Sequence, residues 1–170
     1  MIQIIGSVLL FGTCTALGFG AGFRLKERVK ELSFLVAALE EMERELQCRL
    51  TPLPELLSTL SNHLDGPVGV FFRLCVSGLN GLGERSFSSL WREALEAADL
   101  RLEEEDKVLL EELGNSLGRY DGLRQCKAIA QVRGRLETNR TDAEERWERL
   151  GRVYRTLGVA GGAFLVIVLI

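Results

Sequence analysis

The sequence predicts an all-α fold, a helical bundle anchored to a membrane at both of its ends. Two uncharged apolar runs, residues 1–23 and 156–170, close the chain, and every Asp, Glu, Lys and Arg lies between them. Within the charged middle, apolar residues recur in steps of three and four, the spacing of one helix face. No stretch alternates with period two and β-branched residues are thin, so strand signals are missing. The expected organisation is an N-terminal transmembrane helix at 1–23 and a cytosolic helical domain at 24–155. A C-terminal transmembrane or membrane-anchoring segment at 156–170 completes it. Two long antiparallel helices, each continuous with a terminal membrane segment, are expected to bracket about four short ones.

The first run, as a helix rising about 1.5 Å per residue, reaches roughly 34 Å and covers a hydrocarbon core of about 30 Å. A secretory signal would carry a positive n-region, but no Lys or Arg precedes Arg24. A lipoprotein signal ending at Cys14 fits Phe11, Gly12 and Thr13 poorly, so an uncleaved span is expected. The second run, at roughly 22 Å, is short for a span. Tyr154 in the headgroup belt and a snorkelling Arg155 lengthen it, and a locally thinned bilayer absorbs the rest. A shallow anchor or a buried core helix is the other reading of this segment. Arg24, Lys26, Arg28 and Lys30 follow the first run, and Arg146, Arg149, Arg152 and Arg155 precede the second. Basic flanks stay in the cytoplasm, which puts the middle domain there and both short tails outside. Gly12, Ala16 and Gly20, and likewise Gly158 and Gly162, lie four apart, a spacing that lets helices approach closely in lipid. The general abundance of Gly in spanning helices accounts for them equally well.

The elements of the middle follow in order. Leu25, Val29, Leu32, Val36, Leu39, Met42, Leu46 and Leu50 mark one face of a helix continuing from the first span. Thr51 as N-cap and Pro52 at the first helical position open a second helix, with Leu53, Leu56, Leu57, Leu60 and Leu64 on its apolar face. Asp65, Gly66 and Pro67 repeat the device for a third, through Val68, Phe71, Phe72, Cys75 and Leu79. A glycine-rich loop follows over 78–83. Ser86 caps a fourth helix carrying Leu90, Trp91, Ala94 and Leu95. A fifth spans about 103–117, its acids in the first turn where the helix dipole favours them, and Gly118 ends it. From Asp121 the last helix carries Leu123, Cys126, Ile129, Val132, Leu136, Ala143, Trp147, Leu150, Tyr154 and Leu157, interrupted once by Asn139 and Arg140. Leu32, Leu39, Leu136 and Trp147 are expected to be mutually buried between the two long helices.

The inventory for chemistry is thin. Net charge is −3 with both signs interspersed, so no field is aimed at nucleic acid. Cys14, Cys48, Cys75 and Cys126 are too widely spaced for zinc or thioredoxin patterns, and three fall on apolar faces, as in a reduced cytosolic domain. His63, the single histidine, has no matched Cys or Ser partner and reads as a surface or cap residue. Gly78, Gly81 and Gly83 superficially suggest a phosphate cradle, but no strand precedes them and no Lys-Ser/Thr follows. Glu103, Glu104, Glu105 and Asp106 read as a solvated helix start rather than a cation loop. Trp91 and Trp147 read as core. No catalytic residue, cofactor, metal or small-molecule substrate is expected.

Several short segments, in their order and spacing, resemble a known family. They are Arg24-Leu25-Lys26-Glu27-Arg28, Thr51-Pro52-Leu53-Pro54-Glu55 followed by leucines, and Gly66-Pro67-Val68-Gly69 before Phe71 and Phe72. Leu117-Gly118-Arg119-Tyr120-Asp121 with Gln125 and Lys127, and Tyr154-Arg155-Thr156-Leu157-Gly158 before the apolar tail, complete the set. With two terminal anchors, this pattern resembles the stage III sporulation protein AB family of endospore-forming bacteria. The resemblance implies a subunit of the sporulation channel complex in the mother-cell membrane facing the forespore. It further implies a soluble domain like the F-type platform domain of type II secretion machines, set beside a cytosolic ATPase. The family carries no catalytic residues. A non-enzymatic assembly subunit is therefore expected, with Arg92 and Arg101 as partner-face candidates. The alternative is a membrane-tethered helical sensor or regulator, but the expected topology leaves only Met1 and Ile170 outside, with no sensing domain.

Overall fold

The computed structural model describes residues 2–48, 51–79, 85–117 and 122–169, with side chains described at 24–48, 51–79, 85–117, 123–151 and 153. Every regular element among the described residues is an α-helix: α1 (Ile2–Cys48), α2 (Leu53–His63), α3 (Gly66–Gly78), α4 (Phe87–Ala97), α5 (Glu104–Leu117) and α6 (Gly122–Leu169). Two long helices bracket four short ones, as the periodicity predicts. The chain divides into two compact units, Lys30–Arg140 and the pair of segments Met1–Val29 and Thr141–Ile170.

The Lys30–Arg140 unit is built round Trp91, which is fully buried. Its ring meets Phe71 at 4.8 Å and Phe72 at 6.4 Å between centroids, both edge-on, the geometry that the ring quadrupoles favour. The indole Nε1 donates to the Leu110 carbonyl at 2.8 Å, so its one polar atom is satisfied inside the core. Helices α2, α3, α4 and α5 pack in sequence, each on the next. α1 adds Leu32, Leu35, Ala38, Leu39, Met42 and Leu46, and α6 adds Cys126, Ile129, Val132 and Leu136.

Local chemistry explains where the short helices begin. The expected N-cap at Thr51 is displaced by one residue: Pro52 caps α2, and its carbonyl accepts from Glu55 N at 3.0 Å and Leu56 N at 3.1 Å. The Thr51 hydroxyl is committed elsewhere, donating to Glu45 at 3.1 Å, while Pro54 takes an early position where a missing N–H costs nothing. Gly66 opens α3 with φ +69, a backbone angle that L side chains rarely adopt, which is why the Asp65-Gly66-Pro67 device needs glycine at its centre. Ser86 caps α4 as expected, its hydroxyl accepting from Ser89 N at 3.2 Å. Gly118, the expected terminator of α5, and Leu50 lie outside the described residues.

In the unit of Met1–Val29 and Thr141–Ile170, Arg28 and Ala143 are buried. Trp147, expected in the core, is instead 38% exposed. Trp147 lies five turns after the buried Ile129, but residues 145–149 are all exposed and Leu150 only half-buried, so α6 offers a narrower buried face here than over 126–136. Leu123, also assigned to the stripe, is 80% exposed at the first turn of α6. Of the expected membrane segments, residues 2–23 belong to α1 and 156–169 to α6, but their side chains lie outside the described residues, Gly12, Ala16, Gly20, Gly158 and Gly162 included. Among the described residues no helix is long and apolar enough to cross a membrane.

Candidate interaction surface

Polar ties between distant segments fix the outer faces of the Lys30–Arg140 unit. Glu43 on α1 pairs with Arg133 on α6 at 3.1 Å. Glu31 is buried in the wall of α1 and accepts from the backbone N–H of Arg101 at 2.5 Å. Asn139 donates to Asp106 at 2.8 Å, and Gln125 donates to the Leu117 carbonyl at 3.0 Å. The start of α5 thus meets the middle of α6, and the end of α5 meets its beginning. The two helices are antiparallel.

Asp106 departs from the expected solvated helix start. It is fully buried, and its second oxygen accepts from Glu103 N at 3.1 Å. An acid at the third helical position reaching back to the N-cap amide is half of a capping box, and Asn139 seals it from outside. Glu103, Glu104 and Glu105 remain exposed. The Asn139 break in the α6 stripe is therefore the point at which α6 docks on α5. The buried partner was missed because only the acid's helical position hinted at it.

The expected partner-face residues are both at the surface. Arg92 projects from the outer side of α4, beside exposed Glu93 and Glu96, and Glu93 pairs with Arg85 at 3.0 Å. Arg101 sits in the α4–α5 connection, its backbone anchored by Glu31 and its side chain exposed.

His63 ends α2 and is exposed. It lines a cleft of about 410 Å³ with Glu41, Glu45, Thr51, Glu55 and Thr59. Glu45 holds Thr51 and Glu41 pairs with Arg44 along α1, so two of the carboxylates are already engaged. A second cleft of about 390 Å³, between α3 and α4, is walled by Leu74, Gly78, Leu90 and Ala97, with the Arg85–Glu93 pair at its mouth. Among the described residues no three His, Cys, Asp or Glu side chains are grouped to hold a metal ion. Burial pushes the Cys75 thiol up to about 12, opposed weakly by a backbone hydrogen bond. Burial, then the nearby Glu43 charge, also raises Cys126. Both thiols stay protonated at neutral pH and serve as small apolar core residues. Cys48 is exposed at the end of α1.

Comparisons with known proteins agree with this architecture. The family model described as stage III sporulation protein AB matches residues 3–170. Stage III sporulation protein AB of Bacillus subtilis (strain 168) is 27% identical over 171 residues, spanning 99% of each chain. A solved structure of stage III sporulation protein AB superposes with a TM-score of 0.65 at 28% identity, over 72% of this chain and 97% of the solved one. With the match running from residue 3 to the last residue, the chain belongs to the stage III sporulation protein AB family.

Proposed function

We propose that the protein is a non-enzymatic assembly subunit of the sporulation channel complex in the mother-cell membrane. Its termini anchor the chain, and its helical bundle stands in the cytosol as a platform for a secretion-type ATPase and other membrane subunits. The observation that carries this reading is the course of the two long helices. The helix that supplies Leu32, Leu39 and Met42 to the core also contains residues 2–23 of the first uncharged run, and the helix that supplies Ile129 and Leu136 contains residues 156–169 of the second. The basic residues beside both runs support a cytosolic middle domain. The docking role rests on the F-type platform domain that the family resemblance implies, with Gly12, Ala16, Gly20, Gly158 and Gly162 as helix-packing positions in the bilayer.

A platform acts by binding alone. In a strain lacking the native protein, His63→Ala and Cys48→Ser variants should restore sporulation fully. Arg92→Glu combined with Arg101→Glu should block it while the protein still accumulates. For topology, Glu96→Cys in a Cys48→Ser background should resist an impermeant thiol reagent in intact cells and react after permeabilisation. Loss of function in a folded His63→Ala protein, or ready labelling of intact cells, would overturn the reading.

A further inference from the structure

Helices α5 and α6 sort their charges by sign on their outer faces. From residue 122 to 136 the chain has no Asp or Glu but carries Arg124, Lys127, Arg133 and Arg135. Arg133 is turned inward to Glu43. At about 100° per residue, Arg124, Lys127, Gln131, Arg135 and Thr138 fall within roughly 80° of one another on the helix wheel. All five are exposed, and they form one basic stripe along α6. α5 shows the opposite sign: Glu105, Val108 and Glu112 share an exposed face, with Val108 itself 48% exposed at the centre. Lys127, Arg135, Glu105 and Glu112 enter no ion pair among the described residues.

The two stripes have matching pitch. Lys127 and Arg135, eight residues apart, are separated by about 12 Å along the helix axis, and Glu105 and Glu112, seven apart, by about 10.5 Å. They cannot neutralise each other within one copy. α5 and α6 are already tied through Asn139–Asp106 and Gln125–Leu117, and both stripes lie on sides turned away from the buried residues. We infer that the acidic face of α5 docks on the basic stripe of α6 in a second copy of this chain. Unlike stripes meet, so two copies related by a two-fold axis satisfy both pairs at once, whereas a head-to-tail contact grows into a ring or an open filament. Val108 and Leu123 supply apolar contacts that the ionic rows surround. The inference does not depend on the membrane reading.

Charge exchange tests it. The full-length chain in a non-ionic detergent, weighed by sedimentation velocity at about 0.05 M salt, should associate with rising concentration and dissociate near 0.5 M, where charges are screened within a few ångströms. Lys127→Glu with Arg135→Glu, and separately Glu105→Lys with Glu112→Lys, should each weaken association by roughly tenfold or more. Mixed in equal amounts, the two variants should associate again, because each then offers its neighbour the opposite sign on both faces. Helical content by circular dichroism keeps folding separate from assembly. A chain that is monomeric at every concentration and salt, or a mixture that fails to associate, overturns the proposal. Binding of phosphatidylglycerol vesicles lost with Lys127→Glu and Arg135→Glu in a chain that never self-associates would assign the stripe to lipid instead.

Discussion

Replacing Gly114 by alanine should destabilise the bundle, although alanine is the better helix former. Gly114 lies on the buried face of α5, and a methyl group placed there would sit 2.6 Å from Trp91 Cγ and 3.0 Å from its Nε1. The indole has no direction in which to yield. It is fully buried, boxed edge-on by Phe71 at 4.8 Å, and held to the Leu110 carbonyl at 2.8 Å. Alanine in a helix gains up to about 1 kcal/mol over glycine. Overpacking a filled core costs about 1 to 3 kcal/mol, and straining the indole hydrogen bond adds about 1 kcal/mol. The balance is a loss of about 2 kcal/mol, or about 4 to 8 °C in melting temperature for a chain of this size. Gly134 is the internal control. It is exposed in the interior of α6 with nothing within 4 Å of an added methyl, so Gly134→Ala should gain up to about 1 kcal/mol. Thermal melts of the purified full-length protein would read both. In a Trp147→Phe background, the emission of Trp91 reports directly on the site. Pairing Gly114→Ala with Trp91→Leu should cost clearly less than the sum of the two single changes, since the smaller side chain makes room. Gly114→Ala melting at or above the parent would refute this packing argument.

Two further changes probe the buried polar and thiol groups. Asp106→Ala strands the Glu103 amide and the Asn139 side chain, and should cost about 1 to 3 kcal/mol, read as a lower urea midpoint with an unchanged slope; Asp106→Asn, which keeps one acceptor, should fall between. Cys75 makes alkaline stability a test of burial. Its thiol is raised from 9.0 to about 12 in the folded chain, so the stability linked to its protonated form is complete below 9.0 and is lost as pH rises toward 12. Melting temperature should fall less steeply over that window in Cys75→Ala than in the parent, and parallel curves would show Cys75 to be solvated.

The helices were readable because their signals are local. Three- and four-residue spacing, a serine cap at Ser86 and proline near two helix starts each act within a few residues. The errors are also local and have physical reasons. Thr51 was a sound cap by type, but Glu45 took its hydroxyl. The α1 stripe, read as a narrow seam, omitted Leu35 and Ala38, because that helix is buried over a broader face than one seam. Trp147 continues the α6 stripe by spacing, yet the buried face of that helix narrows before it, and residues 145–149 are all exposed. What the spacing could not reveal were the long-range polar partners. Glu31 meets a backbone amide 70 residues away, and Glu43 meets Arg133 across 90. No periodicity encodes such pairs, since each depends on which faces meet after folding.

Charge shows the same division between what runs along the chain and what folding sorts. A net charge of −3 with interspersed signs reads as a surface without direction. The helix period then places Lys127 and Arg135 on one line, while Glu43 draws the intervening Arg133 inward. On α5, burial removes Asp106 from the surface and Lys107 pairs with Glu104 at 3.5 Å, leaving Glu105 and Glu112 flanking Val108. Like charges spaced about 10 to 12 Å along each row repel weakly, and within one copy each row would be more stable beside neutralising charge. A solvated row would tolerate that cost through screening, so salt is the discriminating variable. If the rows exist for assembly, Lys127→Glu with Arg135→Glu moves the assembly without moving the melt. If they are merely solvated, the same pair changes neither.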